Sequence, residues 1–282
     1  MYKGALLSMA RKLLTQRFPL LIPIRIRQRR LFKKISDGLA GHKFSKTFEK
    51  NPLPYRIYKH KSLLIRKLGD TDMQLQYNKI TNLKLAISKI NQVVIKPGET
   101  FSFWHLVGNA SEKAGYKEGI ILMNGEAIKG IGGGLCQLGN LLYWMFLHSE
   151  LETVERYRHS FDPFPDYGRV IPFGTGATLM NGIIDLKLRN NSNITYQVNL
   201  HLDEEYIYGE IRASQYPPYK YSIVEEDHRF VKKADGQVYR QNKIYKKIVD
   251  RVTGNLVGKE LVMENDCLVK YEVDDQKIVG SL

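Results

Sequence analysis

An α+β fold is predicted by three observations. Helical spacing of apolar residues is confined to the first half of the 282-residue chain. Strand-like runs joined by turn residues dominate after residue 150. Helices come first and strands later, where βαβ units would alternate the two. The expected form is a set of helices, one with a glycine-rich, cysteine-bearing start, packed on mainly antiparallel sheet.

The elements follow in order. Residues 36–58 are mixed and broken by Pro52 and Pro54, and read as a loop or linker. In residues 73–91, Ile80, Leu83, Ile87 and Ile90 recur on one helix face, with Thr71 or Asp72 as the cap. Val93-Val94-Ile95 is a short β-branched run. Pro97-Gly98 after it suits the two central positions of a type II turn. Residues 100–107 read as extended, and Ile120-Ile121-Leu122-Met123 as a strand. Past Gly130-Ile131-Gly132-Gly133-Gly134, a helix is expected from about Leu135 to Ser149. Leu138, Leu141, Leu142 and Met145 form one face of it, and further apolar residues make it buried on most sides. Residues 152–161, 183–190, 194–202, 205–213, 219–224, 237–252 and 256–263 have strand composition. Asn190-Asn191-Ser192, Asp203-Glu204 and Thr253-Gly254-Asn255 are the turns among them.

Composition narrows the class. The chain is 43% apolar and 26% charged, as a folded protein should be, and two cysteines exclude a disulfide-dense scaffold. The net charge is +14, and residues 1–50 hold 13 Lys or Arg against only Asp37 and Glu49. This cationic arm attracts phosphate, of an anionic membrane surface or of a nucleic acid. Nucleic acid is disfavoured because no binding motif accompanies the charge. Phe18 to Ile24 is apolar but short, holds two prolines and is followed by no small-residue cleavage site. No stretch approaches the roughly 20 apolar residues of a spanning helix. A cytoplasmic chain is expected, with residues 5–35 either a solvated arm or an interfacial segment on the inner membrane face. Oligomeric state is not legible.

The chemistry concentrates at Gly132-Gly133-Gly134-Leu135-Cys136-Gln137. Three glycines let another chain or a ligand approach, or simply permit close packing. Cys136 falls in the first turn of a helix, where unpaired N–H groups and the macrodipole favour a thiolate. Helical projection puts it on the side of Asn140, Tyr143 and Leu147. A nucleophilic thiol needs a base, and His159 is the candidate. The third group is Asp185 or Asp162. The Cys136 N–H and the Gln137 side chain are candidate oxyanion donors. A helix with Cys at its start followed by a strand bearing His is the chain order of papain-like and transglutaminase-like thiol enzymes. Against this stands the ordinary reading of a lone cysteine as a core residue. Cys267, in a charged C-terminal strand, reads as an inert thiol. The remaining histidines lack metal-ligand spacing, and no P-loop or dinucleotide fingerprint occurs, so no metal or cofactor is expected.

At these residues the chain resembles the VanW family. The resemblance is carried by Lys96-Pro97-Gly98-Glu99-Thr100-Phe101-Ser102-Phe103-Trp104, Gly115-Tyr116, Gly132-Gly133-Gly134-Leu135-Cys136-Gln137, His159, and Asp185-Leu186-Lys187-Leu188-Arg189-Asn190. Leu14 to Pro19 also looks like the short, anchor-free type. In one place the chain departs from the family. Gly176 in Gly174-Thr175-Gly176-Ala177-Thr178 stands where an Asp is expected, so a third catalytic member there would be missing. The resemblance implies an association with glycopeptide resistance and the cell envelope, and no defined reaction. The expected organisation is a basic arm (1–50), a VanW-like domain (51–213) and a C-terminal β-hairpin extension (214–282). Two functions are carried forward. One is a Cys/His thiol acyl-transfer enzyme on peptidoglycan-type substrates, with Gly132, Gly133, Gly134 and Gln137 binding the oxyanion or ligand. The other is a non-catalytic ligand-binding or scaffold protein held at an anionic membrane by its arm.

Overall fold

The computed structural model describes residues 22–65, 72–123, 126–158, 161–163, 165–166 and 170–279. The chain divides into two units, Met1–His42 and Lys43–Leu282.

The first unit contains helix α1 (Ile22–Leu39). Ile24, Leu31, Phe32 and Ile35 fall on one helical face, and all four are exposed. Arg25, Arg29, Arg30, Lys33 and Lys34 occupy the rest of its circumference.

The second unit is α+β, as the sequence predicts. Its elements before the glycine loop are β1 (Lys43–Phe44), β2 (Thr47–Phe48), β3 (Tyr55–Leu63), α2 (Met73–Ile90), β4 (Val93–Ile95), β5 (Glu99–Ser102), α3 (Phe103–Val107), β6 (Glu118–Met123) and β7 (Glu126–Ile131). After it come α4 (Cys136–Phe146), β8 (Glu152–Glu155), β9 (Phe161–Asp162), β10 (Lys187–Arg189), β11 (Tyr196–Leu202) and β12 (Tyr206–Ala213). The C-terminal strands are β13 (Tyr219–Lys232), β14 (Val238–Asp250), β15 (Leu256–Val269) and β16 (Ile278–Val279). The expected loop over 36–58 thus contains short strands, and Lys43–Phe44 and Thr47–Phe48 of the expected arm pair into the sheets. Strands of two residues leave no periodicity to read.

One sheet runs β2-β4-β11-β12-β3 and is antiparallel throughout. A second runs β1-β5-β10-β8, with β1 and β5 parallel. The third runs β16-β13-β14-β15-β9; its three long central strands are antiparallel, and its edges are parallel additions. The C-terminal strands therefore reach back to Phe161–Asp162 and belong to the same unit as the expected central domain.

Local chemistry sets the boundaries. Asp72 caps α2 by accepting from Gln74 N at 2.9 Å. Glu99 N donates to Lys96 O at 2.9 Å and Gly98 has φ +77°, the geometry of the type II turn. The expected extended run 100–107 instead turns helical at Phe103, because the Ser102 hydroxyl accepts from His105 N at 3.1 Å and caps α3. Helix α4 packs on β3 and β12, and Leu138, Leu142, Met145 and Phe146 are fully buried. Gly209 of β12 admits the Met145 side chain; a Cβ there would lie 2.6 Å from its Cε.

Candidate functional site

A cavity of about 340 Å³ opens where α4 begins. One wall is made by Cys136, Gln137 and Asn140 of α4, by Leu75, Gln76 and Lys79 of α2, and by His60 and Ser62 of β3. Ile120 and Leu122 extend it. A second wall is made by Arg158, Asp162, Asp166, the segment Val170 to Gly176, and Cys267 of β15. Both cysteines therefore line the same space.

The glycine loop builds the first wall by close backbone approach. A Cβ on Gly133 would collide with the Gly119 backbone, and one on Gly134 with the Lys79 side chain. Gly134 also has φ +88°, a region that L side chains rarely adopt. The loop's N–H groups are spent inside the protein. Gly132 donates to Lys117 O, Gly133 to Gly130 O, and Gly134 to Ile120 O. The Gln137 amide is spent too, donating to Ser62 Oγ at 3.0 Å and Leu63 O at 2.7 Å, which ties α4 to the end of β3.

Cys136 lines the cavity at the start of α4, on the side that helical projection indicates. Its Sγ donates to Leu179 O at 3.8 Å, and burial pushes the thiol above its ordinary value despite the helix start. One turn on, Asn140 Oδ1 accepts from Ala177 N at 2.7 Å. A Cβ on Gly176 would lie 2.6 Å from that oxygen, so in this chain the Asn140 amide fills the space beside position 176.

The second wall is held by buried charge and amides. Arg240 of β14 is 3% exposed. Its guanidinium pairs with Asp162 at 3.2 Å and Asp166 at 2.6 Å, and its Nε donates to His228 Nε2 at 2.8 Å. Tyr271 adds a hydroxyl on Asp162 at 2.8 Å. Beside it, Asn242 and Asn265 both donate to Phe173 O, at 3.0 and 3.2 Å. Arg158 donates to Asn265 Oδ1 and lies 3.6 Å from the Cys267 sulfur. Burial raises the Cys267 thiol, and the Arg158 charge draws it part of the way back. Arg156 donates to Gly176 O at 2.7 Å and to Gly174 O, fixing the turn that closes the cavity.

The structure therefore brings together Cys136, Gln137, Gly134 and Asp162 of the residues singled out in the sequence. Asp185 is placed elsewhere. Its carboxylate accepts from Ser102 Oγ at 2.6 Å, Trp104 N at 3.1 Å and Leu186 N at 2.8 Å, so it anchors the start of α3. Burial raises its carboxyl, partly opposed by the Ser102 hydroxyl. His159 lies outside the described residues. Among the described residues no His/Cys/Asp/Glu cluster could hold a metal. The sequence reading missed Gln76, Lys79, His60, Arg158 and Arg240. Only Gln76 and Lys79 carry a local signal, as a polar pair three residues apart beside the apolar stripe of α2.

Comparison with known proteins decides the family. Over 267 residues the chain is 37% identical to the Vancomycin B-type resistance protein VanW of Enterococcus faecalis (strain ATCC 700802 / V583), covering 95% of this chain and 97% of that protein. The chain belongs to the VanW family. The family model for VanW-like proteins matches residues 78–212. An uncharacterized Bacillus subtilis (strain 168) protein, YoaR, is 34% identical over 113 residues, 40% of this chain and 35% of YoaR. No solved structure is significantly similar. In this VanW-family protein the matched segment supplies the glycine loop and α4, while Arg240, Asn242, Asn265 and Cys267 lie beyond it. No helix among the described residues is long and apolar enough to cross a membrane.

Proposed function

We propose that this VanW-family protein is an accessory component of glycopeptide resistance or cell-envelope maintenance whose body binds a peptidoglycan-type peptide. The carrying observation is a cavity of about 340 Å³, with apolar residues in both walls and polar groups around them. That is the size and lining of a small-ligand site. The kinship with the Enterococcus resistance protein supports the context. Burial raises the Cys136 thiol above its ordinary value, and the N–H groups of the three glycines are already used. Both features favour binding over turnover. Titration with a muramyl pentapeptide followed by calorimetry tests the reading. Cys136→Ala is expected to bind the peptide as the wild type does and to support resistance equally. No heat in either protein overturns it.

A thiol acyl-transfer reading keeps one observation in its favour: Cys136 and His60 line the same cavity. Cys136 Sγ would bond to the acyl carbon, with an imidazole taking the thiol proton and passing it to the leaving amine. Loss of resistance in Cys136→Ala with an unchanged melting temperature would select this reading.

Helix α1 adds a location. Its exposed apolar face and flanking Arg and Lys fit an anionic bilayer surface. Co-sedimentation with phosphatidylglycerol vesicles is expected to fall with salt and to be lost on removing residues 1–42. Binding unaffected by either removes the arm from the proposal.

A further inference from the structure

Gln76 lies in the first turns of α2 and lines the cavity, yet is only 1% exposed. Its Oε1 accepts from Lys79 Nζ at 2.7 Å. An ammonium has donors only, so the amide oxygen must be the end that faces Lys79. Chemistry, not atom labelling, therefore fixes the orientation of the amide. Its Nε2 points the other way, and no acceptor meets it among the described residues. A buried donor left unpaired is costly, and native proteins rarely keep one without a use.

The pair is also held rigidly. Lys79 donates a second hydrogen bond to Leu64 O, and its aliphatic stem lies where a Cβ on Gly134 would be. The third glycine of the loop thus makes room for Lys79, and Lys79 clamps Gln76. The ammonium on Oε1 polarises the amide and makes its N–H groups better donors. The same cavity is lined by the apolar side chains of Leu75, Leu122, Ile171 and Phe173.

We propose that Gln76 is the polar anchor of a ligand subsite, donating through Nε2 to an acyl oxygen of a ligand with an apolar body. The oxygen belongs to a carboxylate or to an amide carbonyl. This rests on the reading of the cavity as a ligand site and names the chemistry that the site recognises.

The test uses full-length protein carrying [15N]glutamine and 13C-labelled Ile and Leu methyls. The Gln76 side-chain amide pair is assigned by its loss in Gln76→Glu, which keeps an acceptor for Lys79. The probes are N-acetyl-leucine and N-acetyl-leucinamide. Binding is expected to move the Gln76 amide protons downfield together with the Leu122 and Ile171 methyls. Which probe binds more tightly separates carboxylate from carbonyl. Gln76→Glu should weaken both probes by about tenfold or more with no fall in melting temperature. It also repels the acid by charge, so the amide probe on Gln76→Leu reads the missing donor alone. If the methyls shift while the Gln76 amide stays still and both variants bind equally, the anchor is overturned and the ligand site stands. If no probe moves any cavity signal, both are overturned.

Discussion

One wall of the cavity is built by backbone contact and the other by buried charge. The first relies on Gly133 against Gly119 and Gly134 against Lys79, where any side chain would collide. The second relies on Arg240 between Asp162 and Asp166, and on the amides of Asn242 and Asn265 around Phe173 O. The first lies mostly inside the segment matched by the family model, whereas the Arg and Asn residues of the second lie past its end at residue 212. The matched segment thus lines both sides of the cavity, and the groups that brace the second side come from beyond it. The difference also predicts two modes of failure: steric for the first wall, electrostatic for the second.

The largest effect should come from the second wall. Arg240→Ala leaves Asp162, 1% exposed, without its guanidinium. Breaking a buried pair by removing one partner costs about 3–5 kcal/mol. Denaturant unfolding should show a loss of that order. Asp166→Asn should cost far less, because the Asp166 side chain is 38% exposed. Equal losses would mean that the wall is held by something other than the charge of Arg240.

Acid should act at the far end of α4, the helix that begins with Cys136. His148, just past the end of α4, stacks on Tyr58 at 3.6 Å and meets Trp144 O through Nδ1 at 2.9 Å. Burial lowers its pKa from 6.5 to about 4. Between those values the unfolded chain binds a proton that the folded chain refuses, so stability rises with pH across that window and is lost on acidification. The limit is about 3 kcal/mol between pH 6.5 and 4, from about 1.4 kcal/mol per pKa unit. His148→Phe should flatten that part of the stability profile. An unchanged profile would show that the histidine is charged or exposed.

A smaller loss is expected at the glycine contact. Gly133→Ala must push Gly119 away, and overpacking of this kind costs about 1–3 kcal/mol. If the glycines served only a ligand, the variant would melt with the wild type and fail only in binding.

How much of this was legible follows from the range of the interactions. Ile80, Leu83, Ile87 and Ile90 announced α2, and Asp72 its cap, because both signals are local. The position of Cys136 at a helix start, on the side of Asn140, was legible for the same reason. Asp185 was not, since its partners Ser102 and Trp104 lie about 80 residues away, and only that contact makes it an anchor for α3. Arg240 meets Asp162 across a separation of 78 residues, and nothing in the charged strand around it distinguishes it from its half-buried neighbours. The glycine loop was legible as a place of close approach. What approaches, Gly119 and the stem of Lys79, was not.

The subtlest contrast is carried by the two thiols, one in each wall. The start of a helix suggests that Cys136 should be the reactive one. The surroundings argue otherwise: burial raises both thiols, and among the described residues Arg158, 3.6 Å from the Cys267 sulfur, draws only that thiol back. Alkylation by iodoacetamide proceeds through the thiolate, so both cysteines should react more slowly than a free thiol at neutral pH. Their rates should rise only above the usual thiol pKa of about 8.5. Arg158→Gln should slow Cys267 further and leave Cys136 unchanged, as read by mass spectrometry of the labelled peptides. Fast labelling of Cys136 at pH 7 would reverse the conclusion. It would require a thiolate stabilised strongly enough to overcome burial, and the thiol acyl-transfer reading would then take precedence over binding.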